Sequence, residues 1–145
     1  MRRIEQDLYS IITAPLGDAG GGFGGGGFGT SSLNPVTNIV GTRIYPVVLP
    51  TQPTLPAIHY RIVGGSSTPT NDTYGNQRYR FEVNCWGLTY LDAVTLRSAV
   101  IQTLQEYGGA GVSIRYIQPL DLYESELRQY RCIAEFYVYF NFAPN

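Results

Sequence analysis

From Gln77 to Trp86 the chain alternates with a period of two, and no other feature restricts its fold so tightly. Tyr79, Phe81, Val83 and Cys85 fall on one side, and Arg78, Arg80, Glu82 and Asn84 on the other. Only a β-strand has that period, and a one-residue slip would turn every apolar side chain to water. The segment is therefore a strand with one face on a core. Two further strand patterns close the chain, at about 112–123 and 129–142, joined by a polar turn from Glu124 to Arg128. Ala57 to Val63 also alternates, with Ile58, Tyr60 and Ile62 on one side, and the polar stretch Gly64 to Asn76 reads as its hairpin loop. Arg43 to Val47 is a shorter candidate, and Pro46 confines it to a sheet edge.

Helical spacing appears in two places. Ile4, Leu8, Ile11 and Ile12 line one face of residues 3 to 14, and Pro15 disfavours helical geometry at Ala14. Thr89-Tyr-Leu-Asp92 has the form of a capping box with Asp in place of Glu. The helix it opens extends to about Tyr107, with Ala93, Leu96, Val100, Ile101 and Leu104 as its apolar stripe and Gly108-Gly109 as its stop. Asn34-Pro35 caps a short helical turn running through Val40. Helix, strands, helix, strands is the order of an α+β fold: an antiparallel β-sheet with two α-helices packed on one face. Residues 1–145 form a single domain, with a flexible Gly-rich loop insert at about 17–33.

Motifs that carry chemistry do not survive inspection of their context. Gly22-Phe-Gly-Gly-Gly-Gly27 matches the dinucleotide pattern only as any glycine run does, since a helix rather than a strand precedes it. A phosphate-cradling Walker loop needs a lysine, and all ten basic residues are arginines. His59, the sole histidine, sits in a strand pattern without a recognisable nucleophile or orienting carboxylate, and reads as a structural residue. Glu124 and Glu126 flank a hairpin turn and suit solvated or intersubunit ion pairs better than a glycosidase pair. Arg78 and Arg80 alternate with Tyr79 and Phe81, which separates the cations from the rings and spoils an RNA-stacking platform. Cys85 and Cys132 share the parity of their strands' apolar residues and lack metal-ligand spacing, so they read as buried, reduced thiols. No signal peptide or membrane span is evident, and the expectation is assembly in a host cytoplasm.

Charge is scarce: 14% of residues are charged, against a usual share of about 25%, while twelve are tyrosines. A surface so poor in charge and rich in tyrosine suits coverage in an assembly. A net charge of -1 gives the whole chain no electrostatic footprint for nucleic acid. Catalytic, cofactor-binding and metal-ligating residues are expected to be none, and cofactors none. The candidates for protein contact are Phe23 and Phe28 in the Gly-rich insert, Arg78 and Arg80 on the polar side of their strand, and Glu124 and Glu126 at the turn.

Three segments together resemble the tail completion, or tail terminator, family of long-tailed bacteriophages. They are Val40-Gly-Thr-Arg-Ile-Tyr-Pro46 continuing through Leu55-Pro-Ala-Ile-His-Tyr60, then Tyr79-Arg-Phe-Glu-Val-Asn-Cys-Trp-Gly-Leu-Thr-Tyr90 leading into the Asp92–Leu104 helix, and Asp121-Leu-Tyr-Glu-Ser-Glu126 followed by Tyr130-Arg131. The resemblance implies a virion protein, not an enzyme: a homo-oligomer, a hexameric ring, that terminates the tail tube. It would bind the tail tube protein and the head-completion (stopper) protein of the neck, and leave a channel through which DNA passes without specific binding. The Gly/Phe-rich insert departs from the family, whose members have a much shorter link there. Other roles compatible with the residues are a second kind of neck component, such as a head–tail adaptor, and a nucleic-acid-binding α+β module.

Overall fold

A computed structural model describes residues 4–14, 34–67, 77–107 and 112–140. Three helices and five strands follow in the order α1 (Ile4–Ile12), α2 (Pro35–Val40), β1 (Ile44–Pro46), β2 (Ala57–Ser67), β3 (Gln77–Gly87), α3 (Tyr90–Gln105), β4 (Val112–Glu124) and β5 (Gln129–Phe140). The strands form one sheet in the order β1-β2-β3-β5-β4. The class is α+β, as the sequence indicates. The sheet, however, is mixed rather than wholly antiparallel. The four long strands are antiparallel neighbours, but β1 runs parallel to β2, pairing Ile44 with Ile58 and Pro46 with Tyr60. A parallel pair needs a crossover instead of a hairpin, and the proline-rich segment 47–56 supplies it.

The alternation in β3 fixes which residues enter the core. Phe81, Val83 and Cys85 are fully buried, as are Cys132, Ala134, Phe136, Val138 and Phe140 of the same parity on β5. One continuous apolar cluster joins all of these except Cys132 to Leu8, Ile11 and Ile12 of α1, Val36 and Val40 of α2, and Leu96, Val100 and Leu104 of α3. Phe81 and Phe136 are cross-strand partners whose rings stack with centroids 5.3 Å apart at its centre. Cys85 and Cys132 also face each other in register; both are buried free thiols, and burial pushes both above the ordinary thiol range.

Local chemistry sets the element ends. The Thr89 hydroxyl accepts the Asp92 N–H at 3.1 Å and caps α3. Gly87 makes the turn from β3 into α3, where a Cβ would lie 2.8 Å from the Ala93 nitrogen. β2 runs to Ser67, beyond the end expected at Val63. A register shift between Ile62 and Gly64 lets pairing resume, and Tyr79 lies against Gly65 so closely that a Cβ there would meet its ring at 2.8 Å. The aromatic neighbour replaces the side chain that glycine lacks, which is why Gly64-Gly65 does not end the strand.

Asn34 ties the N-terminal part together. Its side-chain oxygen accepts from the Val36 and Thr37 N–H groups, each at 2.9 Å, and so caps α2. Its amide nitrogen donates to the Ile12 and Ala14 carbonyls at 2.9 and 2.6 Å. The chain thus departs at Ala14 and returns at Asn34 through a closed base. The Gly-rich insert, with Phe23 and Phe28, lies outside the described residues. Because Asn34 is buried and holds four backbone groups, Asn34→Ala should cost about 2 kcal/mol in a urea titration. Exchanging Gly20–Gly29 for a short linker should, by contrast, shift Tm by less than about 2 °C, since the clamp is retained.

Candidate protein-interaction surfaces

The opposite parity of the sheet makes a second, polar face, and its centre is nearly as dry as the core. Glu82 of β3 stands directly across from Glu135 of β5, and both are buried. Like charges directly opposite repel, and burial makes each unpaired carboxylate costly. Each is met by a guanidinium: Arg61 of β2 binds Glu82, and Arg80 Nη2 donates to Glu135 Oε2 at 2.5 Å. Gln118 and Asn84 add donors to Glu135 and Glu82 at 3.2 and 3.3 Å. Arg131 lies over the Trp86 ring at 5.3 Å and pairs with Glu124 at 2.7 Å.

At one end of this face, the 47–56 crossover leans over the start of β2. It encloses an open, largely apolar hollow of about 540 Å³, lined by Val47, Val48, Pro50, Pro53, Trp86 and Leu127 among others. Val47 is strained, a β-branched residue at φ 68°, and with Val48 and Leu127 it is well exposed. Trp86 Nε1–H donates to His59 Nδ1 at 2.8 Å beside the hollow. Burial, then the positive charges of Arg131 and Arg61, lower the His59 pKa to about 4, with Glu82 opposing. Neutral His59 accepts the indole proton and satisfies a group that burial would otherwise orphan. The histidine is a structural partner of Trp86.

The core side of the same end carries a tyrosine cluster. Tyr130 packs against Tyr123 at 4.8 Å and Tyr90 at 5.8 Å between centroids. The Tyr90 hydroxyl donates to Asp121 Oδ2 at 2.6 Å, and Arg97 pairs with the other carboxylate oxygen. These two partners hold the Asp121 carboxyl below its ordinary range. Leu88, Leu91 and Tyr123 are exposed around it.

The opposite end is basic. The register shift at Val63 opens a pocket of about 210 Å³ lined by Val63, Gly64, Gly65, Arg78, Arg80 and Tyr137. Arg78 is exposed and rests 4.8 Å above the Tyr137 ring, with no carboxylate partner among the described residues. Arg80 Nε is enclosed and has no acceptor there.

Of the residues singled out by sequence, Arg78 and Arg80 thus meet in one pocket but differ in state: Arg78 has no ion pair among the described residues, and Arg80 is tied to Glu135. Glu124 is tied to Arg131, whereas Glu126 is exposed in the turn. Sequence reasoning missed the Glu82–Glu135 pair, the Trp86–His59 bond and the Tyr90–Asp121–Arg97 group. Each joins residues 24 or more positions apart, so local spacing carries no signal for it. Among the described residues no cluster of His, Cys, Asp and Glu could hold a metal, and no helix is long and apolar enough to cross a membrane.

Residues 31–140 match the family described as tail completion protein gp17. A chain in the solved structure "Virion of native gene transfer agent (GTA) particle" superposes with a TM-score of 0.53 at 13% identity, covering 74% of this chain and 84% of that one. At that identity the likeness is one of fold. No curated protein matches.

The His59–Trp86 pair makes a pH prediction. Folding lowers the histidine's pKa from 6.5 to about 4, so below pH 6.5 the unfolded state holds the extra proton. Stability is full above pH 6.5 and falls as pH drops towards 4, by up to about 3 kcal/mol. His59→Gln, whose amide oxygen can still accept from Trp86, should flatten this slope. Urea midpoints at pH 7 and pH 4.5 that fall equally in both proteins would exclude His59 as the titrating group.

Proposed function

Since the chain belongs to the tail completion protein gp17 family, we propose that it forms a ring, of six subunits, that ends the phage tail tube and joins it to the neck. A structural protein of the virion's tail and neck region is what the family and the fold support. The ring is our reading beyond that, and its channel would pass DNA without specific contacts. The observation that carries it is the extent of the family match, which takes in the whole sheet and α3.

The surface supports the same reading. Exposed apolar side chains gather at one end of the sheet, on the crossover, at the entry to α3 and on the β4–β5 turn. At the other end, Arg78 and Arg115 carry positive charge without an ion pair among the described residues. A subunit with unlike surfaces at opposite ends makes heterologous contacts, and these close into a ring when the rotation allows. The role is non-enzymatic: the buried Glu82 and Glu135 are each committed to an arginine, and His59 to Trp86. Phe23 and Phe28, on their Gly-rich insert, would add a tethered contact to the tail tube protein, the head-completion protein or a neighbouring subunit.

Native mass spectrometry and light scattering on the full chain should find an assembly six times the 16.0 kDa subunit, formed without nucleic acid. Particles made without the protein should show tails of uncontrolled length that are detached from heads. A subunit that stays monomeric in solution and in the virion would refute the ring.

A further inference from the structure

We propose that the pocket at the Val63 register shift is a carboxylate receptor, and that its occupant is Glu126 of the next copy of this chain. The proposal rests on the ring reading and gives its contact a direction and a residue pair.

The pocket has the chemistry of an anion site. Arg78 brings a guanidinium that no carboxylate neutralises among the described residues, held in place against Tyr137. Arg80 is oriented by its bond to Glu135 through Nη2, which leaves its enclosed Nε–H without an acceptor. An incoming carboxylate gains a charge-assisted contact with Arg78, and the Arg80 side chain, 42% exposed, adds positive charge beside it. Arg115 lies in the same cross-strand row as Tyr137 and Arg80, and is exposed with no ion pair among the described residues. At Gly64 a Cβ would meet nothing within 4 Å, so the entrance is open.

Charge complementarity selects the occupant. Among the described acids, Glu82, Glu135, Asp121 and Glu124 are already paired within the subunit. The exposed Asp92 and Glu106 stand at the two ends of α3, on the core side of the sheet, away from the face that carries the pocket. Glu126 is exposed, carries no ion pair among the described residues even with Arg128 in the same turn, and stands between β4 and β5 at the far end of the sheet. From the Glu124–Gln129 row to the Arg78–Tyr139 row, β5 spans ten steps, about 33 Å at the usual strand rise. Donor and receptor therefore cannot meet within one subunit, and their opposite placement makes the contact head-to-tail. Leu127, beside Glu126, is 58% exposed, and Val63 on the pocket rim is 41% exposed, so an apolar contact accompanies the charged one. A nucleic-acid phosphate is the other anion with suitable chemistry. A small pocket beside exposed valine, on a chain of net charge -1, fits a protein carboxylate better.

The test uses two single variants of the full chain, Arg78→Glu and Glu126→Arg. In each, every head-to-tail junction opposes like charges. Either variant alone should need at least about tenfold more protein for half assembly, read by light scattering. In an equimolar mixture the two alternate around the ring and every junction regains opposite charges, so assembly should return towards the wild-type midpoint. A folding defect would not be rescued by mixing. If Arg78→Glu assembles like wild type, or if mixing restores nothing, the pairing is overturned while the ring reading stands. If Arg78→Glu assembles normally but loses salt-dependent retention on duplex DNA, the pocket is a phosphate site and the proposal falls. A wild-type chain that forms no ring under any of these conditions sinks both.

Discussion

Strand β3 has a neighbour on each side and both faces buried, and the rest of the structure is arranged around that constraint. On the core side the solution is ordinary: Phe81, Val83 and Cys85 meet the apolar residues of three helices. On the polar side the strand brings Glu82 and Asn84 into nearly dry surroundings, against Glu135 of β5. Burying two facing carboxylates is unfavourable unless both are paired and their remaining lone pairs used. Arg61, Arg80, Gln118 and Asn84 converge there for that reason.

The pairing has a consequence for the surface. Four of the chain's few acids are committed within the subunit, and the guanidinium of Arg80 is turned inwards. Among the described residues, charges without an ion pair include Arg78 and Arg115 at the hairpin end and Glu126 and Arg128 at the turn end. Apolar exposure is likewise polar in distribution, concentrated on the crossover, the α3 entrance and the β4–β5 turn. A subunit built this way offers unlike surfaces in opposite directions, the geometry a closed ring of identical copies requires.

Much of the fold was legible because it is written in local periods. The parity of β3 and β5, the Thr89 cap, the Asn34-Pro35 start of α2 and the confinement of Pro46 to an edge strand all emerged as read. The misreadings share one cause. Gly64-Gly65 looked like a loop because its support, Tyr79, comes from the neighbouring strand. The parallel direction of β1 was hidden because it depends on where the crossover travels, not on any residue within β1. At the candidate surface, Arg78 and Arg80 were indistinguishable in sequence, as were Glu124 and Glu126. Their cross-strand neighbours divide each pair into one bound and one available charge.

The sequence by itself determined the face parity of the long strands, much of the core's membership and the α+β class, since a period of two or of 3.6 assigns side chains to faces before any long-range contact forms. It also carried the family signature. The tertiary structure alone decided which charges neutralise one another, which histidine nitrogen accepts the Trp86 N–H hydrogen bond and how Asn34 bonds both Ala14 and the start of α2. Those outcomes depend on side chains brought within a few ångströms from positions some 20 to 55 residues apart, and a distance of that kind has no expression in sequence spacing.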